Sequence, residues 1–258
     1  MAAAIVIRCH ITQDRSFSSL SWWIATIAWF IQCFLAMSLV MAKGGAVFMD
    51  LGRSLFAIAT VLGGFYLVGW RINRREARSV GLLLLPSVVI LLLLSRLFPS
   101  VDGEMATMGN PVFIIHLVFS LAAYGLFSIA AVLALLDAWQ ERALKAKSFG
   151  PMQRMLPSLG QLEQDLFSIL AAGFIFLTLS IVTGMVFTFR EMDQLVLINH
   201  KVVFTWITWG LFGALLWGHR YYGWRGKRAV QLTLWGYLFL VMAYVGVKFV
   251  SEVILQAG

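Results

Sequence analysis

Charge is what this chain has least of. Only 12% of its 258 residues are Asp, Glu, Lys or Arg, 60% are hydrophobic, and the mean hydropathy is +0.86. A water-soluble globule carries about twice that charged share, so the soluble class is excluded. Carboxylates are scarcest where they would matter most, since no Asp or Glu falls in the body of any long apolar run. Cation-coupled transporters and pumps place such groups at membrane depth as counter-charges, so that class is disfavoured, with backbone carbonyls its remaining route. Cysteine is equally sparse. Cys9 and Cys33 belong neither to a C-x-x-C pair nor to a C-x-x-C-H motif, so dithiol exchange and covalent haem attachment lack support. There is no internal repeat, which argues against an inverted-repeat transporter. The first 19 residues, with Arg8, His10, Asp14 and Arg15 scattered through them, lack the order of a cleavable signal and read as a retained tail.

What the chain has is apolar length. Seven runs, at 21 to 41, 54 to 70, 79 to 98, 112 to 136, 166 to 189, 201 to 219 and 229 to 250, each approach the ~20 residues that a membrane-spanning helix needs. Unpaired backbone groups are not tolerated in lipid, so all seven should be helices. The expected fold is all-α, a polytopic transmembrane bundle of about seven spans over 21–250, with the assembly-type part described below mainly in 54–250. A cytoplasmic tail is expected at 1–20 and an outer tail at 251–258. If the spans alternate, one side collects Arg8, Arg15, Arg71, Arg74, Arg75, Arg78, Arg142, Lys145, Lys147, Arg154, Arg220, Arg225, Lys227 and Arg228, fourteen of the twenty basic residues. The positive-inside rule makes that side the cytoplasm, with the N-terminus in and the C-terminus out. The net charge of +8 is thus a topology signal, and no nucleic-acid partner is implied. The segment 137 to 165, which mixes charges with Leu144, Met152, Met155, Leu156 and Leu159, is expected to be a partly amphipathic helical connector.

Histidine is the main chemistry left inside the membrane. His116 lies near the outer end of the fourth span, His200 at the outer end of the sixth and His219 at the inner end of that same helix. The 19 positions from His200 to His219 correspond to about 28 Å of helix, so those two cannot share a metal. His116 and His200 should lie at one depth, and they converge if the fourth and sixth helices are neighbours. His116, Ser120, Tyr124 and Ser128 form an i+4 polar stripe that should face protein, where interhelical hydrogen bonding alone would explain it. The sixth span sets Trp206, Trp209 and Trp217 beside Gly210 and Gly213, an apolar slot or simply close packing. Thr233, Tyr237, Tyr244 and Lys248 line the seventh, with Lys248 a cation at the outer rim or a snorkelling anchor. The loop HRYYGWRGKR from His219 to Arg228 reads as a tight turn, with Gly223 and Gly226 at its bends.

The stretches HLVFSLAAY at 116 to 124, TGMV at 183 to 186, HKVVFTWITW at 200 to 209, LLWGH at 215 to 219 and GWRGKRA at 223 to 229 resemble the cytochrome c assembly family. That family comprises haem-handling membrane proteins of the CcsA and CcmC kinds, and the chain also resembles its YpjD-like branch. The resemblance implies a protein that binds haem b and presents it at the outer face. It gives His116 the role of the outer haem-ligating histidine and matches His219 to a histidine within the bundle. The family's tryptophan-rich outer segment is replaced here by Leu197-Ile198-Asn199-His200-Lys201, and no histidine follows the last span. A further N-terminal span of YpjD-like members is not found, which a start site placed too far downstream would explain.

Haem needs axial imidazoles, an apolar slot and cations for its propionates. The expected cofactor-binding residues are therefore His116, His200, Trp206 and Lys248, to which the resemblance adds His219, with His116 and His200 as iron ligands and Lys201 or Arg190 as further cations. No acid, base and nucleophile are grouped for catalysis, so a binding or delivery role is expected instead of an enzymatic one. The expected partners are the lipid bilayer of the bacterial inner membrane and other cytochrome c maturation or membrane proteins. The competing reading is a non-catalytic accessory or solute-transport partner whose histidines are structural. Orientation is testable by fusion: alkaline phosphatase placed within 142 to 154 is expected to be inactive, and activity there would invert the topology.

Overall fold

The computed structural model describes residues 15–40, 46–48, 51–72, 74–98, 105–107, 111–147, 157–192 and 200–243, with side chains described over 22–38, 51–72, 80–81, 83–98, 111–147, 157–190 and 201–243. Seven helices occur among them: α1 (Arg15–Val40), α2 (Leu51–Ile72), α3 (Arg74–Leu97), α4 (Pro111–Lys145), α5 (Leu159–Met192), α6 (His200–Tyr222) and α7 (Lys227–Val241). Each overlaps one of the seven apolar runs, as expected for a helical membrane bundle. Two three-residue strands, Ala46–Phe48 and Met105–Thr107, lie in the connections α1–α2 and α3–α4. Leu51–Ile72, Pro111–Lys145, Leu159–Arg190 and Lys201–Tyr222 are long and apolar enough to cross a membrane, and Trp22–Ser38 and Leu83–Leu97 are shorter apolar stretches. Residues 244 to 250 of the last run lie outside the described residues.

The outward faces carry large apolar side chains at helical spacing, for example Ile27, Phe30 and Phe34 on α1 and Ile175, Leu179, Val182 and Val186 on α5. Water would penalise such stripes, whereas lipid accepts them. The helices α4 and α5, of 35 and 34 residues, extend roughly 50 Å, well beyond a hydrocarbon core of about 30 Å. This corrects the expected connector. Residues 137–145 continue α4 and residues 159–165 begin α5, leaving only 146–158 between them. The start of α5 is set by Ser158, whose amide and hydroxyl both donate to Gln161 Oε1 at 3.3 and 3.2 Å, an S-x-x-Q capping arrangement.

The helices fall into two compact units, residues Met1–Ala106 and Thr107–Gly258. In the first, α2 packs against both α1 and α3. The α1–α2 seam is built on Gly63 and Gly64, where an added Cβ would stand 3.1 and 3.0 Å from the Trp29 ring. That closeness lets the indole lie on the α2 backbone and donate to the Thr60 carbonyl at 2.8 Å, while Gln32 Nε2 donates to Thr60 Oγ1 at 3.2 Å.

In the second unit α4 packs most extensively on α5, α5 on α6, α6 on α7 and α7 back on α4. The helices α4 and α6 thus occupy opposite corners. They meet through Phe127 and Phe212, both fully buried, whose rings stack at 4.0 Å with 4° between their planes. The other two corners make room for the pair. A Cβ on Gly173 of α5 would come within 3.0 Å of Phe127, and one on Gly236 of α7 within 2.8 Å of Phe212. Small residues that let backbones approach are how helices gain dispersion contacts in lipid, where no hydrophobic drive favours association.

Gly236→Ala is expected to destabilise the purified protein by about 1–3 kcal/mol, because the stacked ring has no free direction in which to move. Gly210→Ala, with nothing within 4 Å of the new methyl, should leave the midpoint near wild type. Thermal unfolding in detergent measures both, and equal midpoints for the two variants would contradict the stacked core.

Candidate functional site

The polar stripe of α4 converges on its neighbours as its spacing demands. Pro111 opens α4, so His116 stands in the second turn. Its Nδ1 lies 2.8 Å from the backbone carbonyl of Ser180 on α5. A carbonyl can only accept, so Nδ1 carries the proton and the ring is the Nδ1–H tautomer. Gly184 of α5 makes this contact possible: it removes the side chain that would block the ring, since a Cβ there would stand 3.0 Å from Cε1 and 3.1 Å from Nδ1. Thr183 Oγ1 donates back to Leu179 O at 2.8 Å, as helical hydroxyls do, and lies 3.1 Å from the same Ser180 carbonyl.

Among the described residues, the second ring nitrogen, Nε2, is left with Ser120 Oγ alone, at 3.5 Å. That hydroxyl is already engaged, donating to the His116 carbonyl at 2.7 Å and lying 2.7 Å from Ser180 Oγ. Nε2 is therefore an uncommitted lone-pair donor in a ring whose orientation is fixed from the other side. This arrangement is the one that metal-ligating histidines require: one nitrogen held by a backbone carbonyl, the other free for the metal. The chemistry of this donor fits an axial haem ligand.

Lower on α4 the stripe turns toward α7. Tyr124 donates to the Leu240 carbonyl at 2.8 Å, and the Ser128 and Tyr237 hydroxyls are 3.0 Å apart. A four-residue step advances 400°, so the line of side chains rotates by about 40° per step and passes from one neighbour to the next. The whole stripe faces protein.

Of the remaining expected site residues, the two whose side chains are described, His219 and Trp206, make their contacts elsewhere. His219 is clamped in the α6–α7 turn: its Nδ1–H donates to the Trp224 carbonyl at 3.0 Å and its ring stacks on Phe167 of α5 at 3.4 Å. Trp206 is 43% exposed and meets Trp209 edge-on, and Trp209 donates to Thr178 Oγ1 at 3.0 Å. His200 is the first residue of α6, the helix that faces α4 across the unit and meets it through the Phe127–Phe212 stack. The His200 side chain and Lys248 lie outside the described residues. Among the described residues no three His, Cys, Asp or Glu side chains come together as a metal cluster. Ser180 and Gly184 are the partners that sequence reasoning missed. Their signal was S-x-x-T-G at 180 to 184, hydroxyl and small residues at i, i+3 and i+4 on one face.

The cytochrome c assembly protein profile matches residues 17–255. The chain is 34% identical over 186 residues to inner membrane protein YpjD of Escherichia coli K12, covering 69% of this chain and 68% of the relative. It is 24% identical over 240 residues to protein HemX of Brevibacillus brevis, covering 91% and 86%. It is 31% identical over 100 residues to cytochrome c biogenesis protein CcsA of Heterosigma akashiwo, covering 39% and 30%. No solved structure matches. With a match running nearly end to end through all seven helices, the chain belongs to the cytochrome c assembly protein family.

Proposed function

We propose that this protein binds haem b at the outer end of the α4–α7 unit, with His116 Nε2 as an axial ligand, and that it presents or delivers haem without catalysing a reaction. The observation that carries the reading is the Nδ1–H···O=C bond from His116 to Ser180, which orients the ring and leaves Nε2 free. The family and the name of the CcsA relative support a place in cytochrome c assembly, with other maturation or membrane proteins as partners. The YpjD relative's name and the positive-inside asymmetry support the bacterial inner membrane, N-terminus in and C-terminus out.

Bound there, haem would supply an iron that accepts imidazole nitrogen. The chain's own contributions are orientation and charge. Gly184 admits the His116 ring and Ser180 O holds its proton. Arg190, in the last turn of α5, and Lys201, in the first turn of α6, bring cations to the same end of the unit for propionates. His200 is proposed as the second ligand, Lys248 as a further propionate partner and Trp206 as part of the apolar slot. His219, a membrane thickness away, would serve a separate inner site.

The visible spectrum of the purified protein tests this. Wild type should carry a Soret band, His116→Ala should lose most of the haem, and His200→Ala should shift the spectrum from low-spin to high-spin. Gly184→Val should also lower haem content, because its side chain displaces the ring while leaving His116 in place. Unchanged spectra in His116→Ala and Gly184→Val would remove His116 from the site. A colourless protein from haem-replete cells would favour the structural reading, in which the same bond only fastens α4 to α5.

A further inference from the structure

The turn between α6 and α7 builds a second site at the opposite end of the unit. An open groove of about 390 Å³ is lined by Trp224, Arg228, Gln231, Leu232 and Trp235. The last four recur at i, i+3, i+4 and i+7, so they share one face over the first two turns of α7. Polarity is graded along that face. Arg228 and Gln231 stand beside the turn, and Leu232 and Trp235 follow within about 10 Å of helix. Beyond the groove the same face continues as Leu238 and Met242, both substantially exposed, like Trp235.

The wall at the turn is held in place before any ligand arrives. Gly223 and Gly226 take positive φ values of 64° and 57°, which fold the chain back sharply. Trp224 N–H donates to Gly218 O at 3.2 Å, and its carbonyl accepts from His219. Its ring lies so close over Gly218 that no side chain fits there. The cations differ in their engagement. Arg225 pairs with Glu163 at 3.7 Å, whereas Arg228 makes no ion pair among the described residues.

We propose that this groove binds one anionic phospholipid of the leaflet at the α6–α7 turn. The lipid phosphate meets Arg228 and Gln231, Trp224 and Trp235 flank the glycerol region, and an acyl chain follows Leu232, Trp235, Leu238 and Met242. Charge complementarity and continuity with the lipid-facing side of α7 select this occupant. An arginine offers a phosphate two parallel donors, tryptophan prefers the interface, and the exposed apolar track beyond it leads into hydrocarbon.

Native mass spectrometry of the full chain in a neutral detergent tests the site, with phosphatidylglycerol and phosphatidylcholine of identical acyl chains as probes. Wild type should retain phosphatidylglycerol about fivefold more than phosphatidylcholine, the preference expected of one interfacial cation. Arg228→Gln should bring that ratio close to one, while Arg220→Gln, from the same basic turn, should leave it unchanged. Gln231→Ala should lower phosphatidylglycerol retention without removing a charge, which keeps the proposal falsifiable should Arg228→Gln fail to fold. Equal retention of the two lipids by wild type, or equal losses in Arg220→Gln and Arg228→Gln, would overturn it. Displacement of phosphatidylglycerol by millimolar inorganic phosphate would reassign the groove to a soluble anion and overturn the lipid proposal. Haem content enters none of these readouts.

Discussion

Hydrocarbon offers a helix neither a hydrogen-bond partner nor a reason to hide its leucines, and the Thr107–Gly258 unit is organised around that constraint. Every polar side chain of the α4 stripe finds its partner on α4 itself, α5 or α7. Interhelical bonds of this kind are worth about 0.6 kcal/mol each on average, so the few that tie α4 to its neighbours amount to roughly 2–3 kcal/mol. That is too little to hold four helices together, but it is enough to fix their register. Cohesion comes instead from close approach, concentrated where Gly173 and Gly236 admit the stacked Phe127 and Phe212 rings.

The same economy shapes the two described histidines. Each donates Nδ1–H to a backbone carbonyl, His116 across a helix interface and His219 within a turn. Neither ring can rotate without orphaning that proton. For His116 the consequence is a fixed tautomer with Nε2 uncommitted, so the bond that helps register α4 against α5 also prepares a ligand. For His219 the consequence lies in the turn. It anchors Trp224, and Trp224 in turn forms one wall of the groove beside Arg228.

Apolar run length made all seven helices legible in the sequence, because lipid leaves a long apolar segment little alternative to helix. It misjudged their ends. Nothing in an apolar count reports that α4 continues through Asp137 to Lys145, since beyond the membrane helix propensity and packing decide. The i+4 spacing revealed that His116, Ser120, Tyr124 and Ser128 face protein, but not which helix each one meets, because that depends on the drift of the stripe around α4. Gly184 stood within a recognisable TGMV stretch, yet its purpose appears only once His116 is seen lying against it. Depth along the chain placed His116 and His200 at one end, while spacing cannot report that α4 and α6 stand at opposite corners.

The tautomer of His116 is the most direct measure of whether the site is prepared for a metal. Nitrogen-15 magnetic resonance of histidine-labelled protein in bilayers, with His116→Gln used to assign the signals, reads it without haem present. A protonated Nδ1 and an unprotonated Nε2, with the Nε2 signal alone perturbed when haem is added, is the predicted result. A protonated Nε2 in the haem-free protein would contradict it, because the nitrogen assigned to iron would then already be occupied.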